Sequence, residues 1–251
     1  MLGPAMCRML ACLTADGLPD GLVTRFQRLS HEGMVPPRAA PGHVSGWGAY
    51  ASNFETTTLH YRSSKDAYDD PSFQAISEAV GRISGPRALM FHLRKASVGA
   101  KRVVNSHPFV VGGRAFMHNG SVKGLANSIS TSREPLGQTD SEVYFLMLLD
   151  SLEGRRVRDA VRETISRLEH MDYTSLTFVM QDGPSIYAYR HFGRYGDYYT
   201  LYYSQERDSV IFCSEPLLGL RWKLIGNREL VHATFDGGRA VVERYPDVLT
   251  S

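Results

Sequence analysis

The chain has 251 residues, 43% of them hydrophobic and 22% charged, enough apolar material for one large compact domain or two small ones. Lys and Arg number 28 against 26 Asp and Glu, a net charge of +2 with basic residues scattered rather than striped, so no electrostatic footprint for nucleic acid is present. The three cysteines, Cys7, Cys12 and Cys213, form no C-x-x-C pair and no even-numbered framework, which predicts free thiols in a reducing, cytoplasmic compartment.

Residues 1–15 are fairly apolar, but Gly3, Pro4 and the lack of a basic start argue against a signal peptide. Residues 9–13 read as a short buried strand and 46–50 as a second, separated by a loop, 35–42, that carries Pro36, Pro37 and Pro41. Phe73, Ile76, Val80 and Ile83 recur at helical spacing behind Pro71. Segments 88–93 and 115–118 read as strands, and 141–152 as a mostly buried helix. Val157, Val161, Ile165 and Leu168 give one more helical face.

The longest apolar run, 143–149, is bounded by Glu142 and Asp150 and is far too short to span a bilayer, so no membrane association is expected. Beyond about residue 170 the pattern turns to strands at 175–180, 186–190, 198–203, 210–213 and 230–235, with Asp182-Gly183 and Asp236-Gly237 as turn signals. Strands, helices, then strands, with no repeat and no linker, predict one α+β domain: two antiparallel sheets with helices packed outside.

Four short segments place polar residues beside strands or turns. Taken singly, each has a structural reading. Cys7 is a small hydrophobe before an apolar run. Arg94, in the stretch His92 to Ser97, ends a strand and suits a surface ion pair. Asn119-Gly120 is a hairpin turn. Thr139-Asp140-Ser141-Glu142 caps the helix that follows. Tyr198, Tyr199, Tyr202 and Tyr203 fit a half-exposed strand, or the lining of a second substrate pocket.

Taken in order, these segments resemble the glutamine-binding apparatus of the class II glutamine amidotransferases, members of the N-terminal nucleophile hydrolases. Met6-Cys7-Arg8-Met9-Leu10 is similar to the Met-Cys-Arg-Leu-Leu start of the small single-domain members, and Gly46-Trp47-Gly48 to their Gly-Trp-Gly. Asn105-Ser106-His107-Pro108-Phe109 is similar to Asn-Thr-His-Pro-Phe. Phe116-Met117-His118-Asn119-Gly120 resembles aromatic-x-His-Asn-Gly, and Ser214-Glu215-Pro216-Leu217 a late Ser-Glu-Pro-Leu. Lys95 and Val98 depart from the multidomain members, which carry an aromatic residue and a histidine there, and this puts substrate breadth in question.

The resemblance implies a four-layer αββα sandwich, residues 7–251, with 1–6 an extension or pro-segment absent from the active form. It implies that the Cys7 thiolate attacks a γ-carboxamide to form a thioester. The base is its own α-amine, whose solution pKa near ~8 lies close to working pH. The Asn119 side chain and the Gly120 N–H would hold the oxyanion. Arg94 would grip the α-carboxylate of glutamine through two parallel bonds, and Asp140 its α-ammonium. Ser97 adds a hydroxyl near the carboxylate or stabilises its loop.

His92, His107 and His118 read as hydrogen-bonded residues that position the loops. No histidine pair has metal-ligand spacing, so neither metal nor cofactor is expected. Expected partners are glutamine or a γ-glutamyl compound, and for released ammonia a separate acceptor-bearing synthetase subunit. The alternatives are a hydrolase of γ-glutamyl conjugates and a non-catalytic glutamine-binding module.

Overall fold

In the computed structural model, which describes residues 6–37, 39–96 and 99–250, two antiparallel sheets lie face to face. The seven-stranded sheet is built around β1 (Arg8–Thr14), flanked by β4 (Arg87–Leu93) and β10 (Ser209–Cys213). Beyond β4 lie β2 (Trp47–Ser52) and β3 (Thr58–Ser63). Beyond β10 lie β9 (Tyr202–Gln205) and β11 (Lys223–Leu224). The six-stranded sheet runs from β5 (Phe109–Val111) through β6 (Arg114–Asn119), β7 (Thr177–Asp182), β8 (Ser185–Arg190) and β12 (Glu229–Asp236) to β13 (Arg239–Tyr245).

Three apolar cores separate four layers. Met9, Ala11, Leu13 and Met90 of one sheet meet Ala115, Met117, Val179 and Ala188 of the other. On the outer face of the first sheet, Leu10, Cys12, Trp47 and Phe91 pack against Leu22 and Phe26 of α1 (Leu22–Glu32) and Phe73 and Val80 of α2 (Ser72–Gly81). On the outer face of the second, Phe116, Phe178 and Tyr189 pack against α4 (Asp140–Leu152) and α5 (Val157–Leu168). A short helix, α3 (Leu125–Ser128), joins this last core.

The expected strands and helices form, with differences that have local causes. α1 is held mainly by Leu22, Phe26 and Leu29, with Val23 at the edge of the same core, in an otherwise polar stretch, so periodicity was too thin to announce it. β3 and β13 are edge strands with half-exposed faces, where polar residues mask the alternation. The predicted strand 198–203 is corrected: only Tyr202 and Tyr203 enter β9, while Tyr198 and Tyr199 both donate backbone N–H bonds to Tyr195 O in a turn. Asp236 and Arg239 face each other across Gly237-Gly238, whose φ angles of 54° and 77° supply the left-handed pair a two-residue hairpin requires. Asn119-Gly120 is not such a hairpin. Asn119 ends β6, whose partner β7 begins only at Thr177. No helix among the described residues is long and apolar enough to cross a membrane.

Candidate active site

Side-chain alternation aims the two ends that matter at one another. On β1 the odd residues Met9, Ala11 and Leu13 face the inter-sheet core, and on β6 Ala115 and Met117 do the same. Cys7 and Asn119 continue those two rows to the same open end of the sandwich. There the main-chain nitrogen of Cys7 donates to Asn119 Oδ1 at 2.8 Å. Asn119 is wholly buried, and its Nδ2 has no partner among the described residues. Among the described residues, the site thus holds an amide donor that no other group occupies.

The register that pairs Arg8 with Leu93 carries Cys7 toward Arg94. Lys95 N lies 3.4 Å from Cys7 Sγ, and Lys95 O lies 3.7 Å from it. Arg94 is buried; its guanidinium donates to the carbonyls of Ala100 and Gly99, each at 3.2 Å. Burial pushes the Cys7 thiol pKa above its ordinary value. The nearby Arg94 and Arg8 guanidiniums oppose that rise, and the Asp140 carboxylate adds to it. Cys7 therefore rests as a thiol, within electrostatic reach of both cations and an anion.

Asp140 opens α4, where Thr139 Oγ1 accepts from Glu142 N at 3.2 Å as the cap. Its Oδ2 accepts from Val122 N at 2.6 Å, which fixes the carboxylate against the turn that follows Gly120. Gly120 tolerates nothing larger, because a Cβ there would lie 2.0 Å from Ser175 O. His118 Nε2 donates to that same carbonyl at 3.0 Å, and Ser141 Oγ lies 2.9 Å from its Nδ1. Asn105 ties the Arg94 and Asp140 arms together, donating to Ala100 O at 2.9 Å beyond Arg94 and accepting from Gln138 N at 3.0 Å just ahead of Asp140.

The structure therefore brings together Cys7, Arg94, Asn119, Gly120 and Asp140. Ser97 and Val98 lie outside the described residues. His118 is a hydrogen-bonded loop holder as expected. His92 and His107 are corrected: both are buried with their rings 4.2 Å apart, and neither ring nitrogen has a partner among the described residues. Burial drives the His92 pKa down to about 3 and that of His107 well down too, so both act as neutral packing.

Sequence reasoning missed the roles of several further residues. Arg8 is buried and bridges Glu215, Cys7 O (2.8 Å) and Met34 O, while Met34 N donates to Glu215 Oε1 at 2.8 Å. Ser214 exchanges bonds with Met9 in both directions, so the late Ser-Glu-Pro-Leu segment clamps the start of β1. An arginine inside an apolar run was the signal for this. His43 Nδ1 donates to Met6 O at 2.5 Å, and nothing in the sequence marked that residue. The Tyr199 hydroxyl donates to Thr174 Oγ1 at 2.9 Å near the site; the sequence offers Tyr199 as part of a half-exposed strand or of a second substrate pocket.

Comparison with known proteins agrees with this geometry. Residues 6–204 match the family profile described as glutamine amidotransferases class-II. The chain belongs to that family. It is 28% identical over 170 residues to an uncharacterized protein of Methanocaldococcus jannaschii, a match that covers 56% of this chain and 48% of that protein. It is 27% identical over 216 residues to the gamma-glutamyl-hercynylcysteine sulfoxide hydrolase of Mycolicibacterium smegmatis, covering 84% and 88% respectively. The glutamine phosphoribosylpyrophosphate amidotransferase of B. subtilis superposes with a TM-score of 0.66 at 16% identity, over 95% of this chain and 49% of that one. The four-layer αββα architecture is the N-terminal nucleophile hydrolase fold.

Proposed function

We propose that this protein hydrolyses a γ-carboxamide, with glutamine the default substrate, through a thioester on Cys7. The observation that carries the reading is the double use of Asn119: its carbonyl oxygen holds the Cys7 nitrogen at 2.8 Å while its buried amide group has no partner among the described residues. In a chain that begins at Cys7, the same bond orients a free α-amine, leaving its lone pair to take the thiol proton. The thiolate attacks the γ-carbon, and Asn119 Nδ2 with Gly120 N–H hold the oxyanion. Arg94 and Asp140 take the α-carboxylate and α-ammonium.

The α-amine then protonates the departing nitrogen, and water hydrolyses the thioester. Residues 1–6 must be absent for this, because an amide nitrogen offers no basic lone pair. Where an acceptor-bearing subunit docks, the ammonia is used there.

A second reading is favoured by the relative that aligns over 84% of this chain, a γ-glutamyl-conjugate hydrolase: here the leaving group is an amine larger than ammonia. One experiment tests both. Chains beginning at Cys7, confirmed by intact mass, are assayed with glutamine and with a panel of γ-glutamyl amides, beside Cys7→Ala. Product from glutamine that Cys7→Ala abolishes supports the first reading, and cleavage of conjugates at far higher kcat/KM supports the second. A verified Cys7 amine that cleaves nothing leaves a non-catalytic binding module.

A further inference from the structure

His43 is buried beside the nucleophile, and its one hydrogen bond within the site goes to the carbonyl of the residue that the proposed active form lacks. Only a ring N–H can donate to a carbonyl, so Nδ1 carries the proton. Covalent geometry puts Met6 O about 2.3 Å from Cys7 N. His43 Nδ1 lies 2.5 Å from that oxygen. A donor is thus fixed one water's breadth from the atom that serves as the base. Burial, with the charges of Arg8 and Lys95 adding to it, holds the ring neutral, with a pKa down to about 3, so its N–H persists throughout the working range.

The ring is held in place from several sides. His43 N donates to Ser30 O at 2.6 Å and Ser45 N to Arg94 O at 2.8 Å. Lys95 Nζ donates to Gly42 O at 2.9 Å and also to Ala40 O. Residues 33–37 and 39–46 are therefore tied to both β1 and the arginine arm, and His43 is their inward-facing donor.

We propose that His43 is a positioning residue for deacylation: the place of the Met6 carbonyl oxygen becomes the site of the hydrolytic water, which accepts from His43 Nδ1. This rests on the amidase reading above. The water donates one proton to the Cys7 α-amine while a lone pair attacks the thioester carbon. Collapse breaks the C–S bond and expels the thiolate, which recovers its proton from the α-ammonium, and the γ-carboxylic acid leaves. Acylation needs no water, so it does not need His43.

The test uses chains starting at Cys7 with γ-glutamyl p-nitroanilide and with glutamine, followed from the first turnover into the steady state. His43→Leu should keep the first-turnover rate within about threefold and lower the steady-state rate by about tenfold to a hundredfold, the loss of one positioning hydrogen bond. The γ-glutamyl thioester on Cys7 should then accumulate in quenched samples. His43→Asn, whose side-chain amide places an N–H near the position of Nδ1, should recover most of the steady-state rate. Equal loss in both phases, no loss, or failure of His43→Asn to recover any rate while it melts like wild type would overturn the proposal. A wild-type chain that releases no product from either substrate sinks the amidase reading and this inference with it.

Discussion

The carboxamide oxygen of Asn119 accepts from the main-chain nitrogen of Cys7 at 2.8 Å, although 112 positions separate the two residues. Asn119 ends β6 and Cys7 immediately precedes β1, so this bond joins the two sheets at one end of the sandwich. In the proposed mechanism Asn119 is both an orienting group and an oxyanion donor. Asn119→Ala should lower kcat by about two to three orders of magnitude, the usual effect of losing an oxyanion donor, with little change in KM. Steady-state kinetics on chains of verified N-terminus check this. An effect confined to KM would make Asn119 a binding residue instead.

Arg94 and Asp140 bracket Cys7 with opposite charges, and both are buried. Arg94→Lys and Asp140→Asn should each raise KM for glutamine by about tenfold or more with a smaller change in kcat. Lysine cannot reproduce a two-bond grip, and asparagine removes the charge facing the ammonium. Glutamine analogues lacking the α-amino group should be poor for the wild-type chain and lose little further in Asp140→Asn. If such an analogue is cleaved as well as glutamine, the role given to Asp140 is wrong.

The Arg8 side chain is 1% exposed and that of its partner Glu215 is 13% exposed. Glu215→Leu would leave a buried guanidinium with only carbonyl partners, which should cost about 3–5 kcal/mol of unfolding free energy. Urea unfolding at neutral pH measures it. A loss below about 1 kcal/mol would mean that the Cys7 and Met34 carbonyls alone satisfy Arg8.

His43, His92, His107 and His118 all have pKa values lowered by burial. A histidine whose folded pKa lies below its unfolded value takes up its proton first in the unfolded chain. Its contribution is therefore fully present above the unfolded pKa and lost as pH falls from there toward the folded one. Stability should drop between about pH 6.5 and the folded value for His92, about 3. Neither His92 ring nitrogen has a well-formed hydrogen bond among the described residues, so His92→Phe removes one such proton at little cost in bonding. Unfolding free energies across pH 4–7 should then fall less steeply, by about 1.4 kcal/mol per pH unit. An unchanged slope would show that His92 is not buried neutral.

The candidate site residues were legible through the order of their segments, which resembles that of the class II glutamine amidotransferases; taken singly, each has a local structural reading. Cys7 precedes a run that can only be a buried strand, Thr139 to Glu142 cap a helix whatever surrounds it, and Gly120 follows the asparagine that ends β6. The two sheets and their outer helices were legible because period-2 and period-3.6 patterns dictate which faces must be covered. What those patterns lack is partnership across long separations.

That Arg8 needs Glu215, that Asn105 links the Arg94 arm to the Asp140 arm, and that His43 reaches the carbonyl before Cys7 are outcomes of packing between distant segments. Polar side chains give no periodic signal. Their roles are set by which buried donors and acceptors the closed fold leaves within about 3 Å of one another. Only the tertiary structure could decide that His92 and His107 are silent packing while His43, unmarked in the sequence, reaches the carbonyl of Met6.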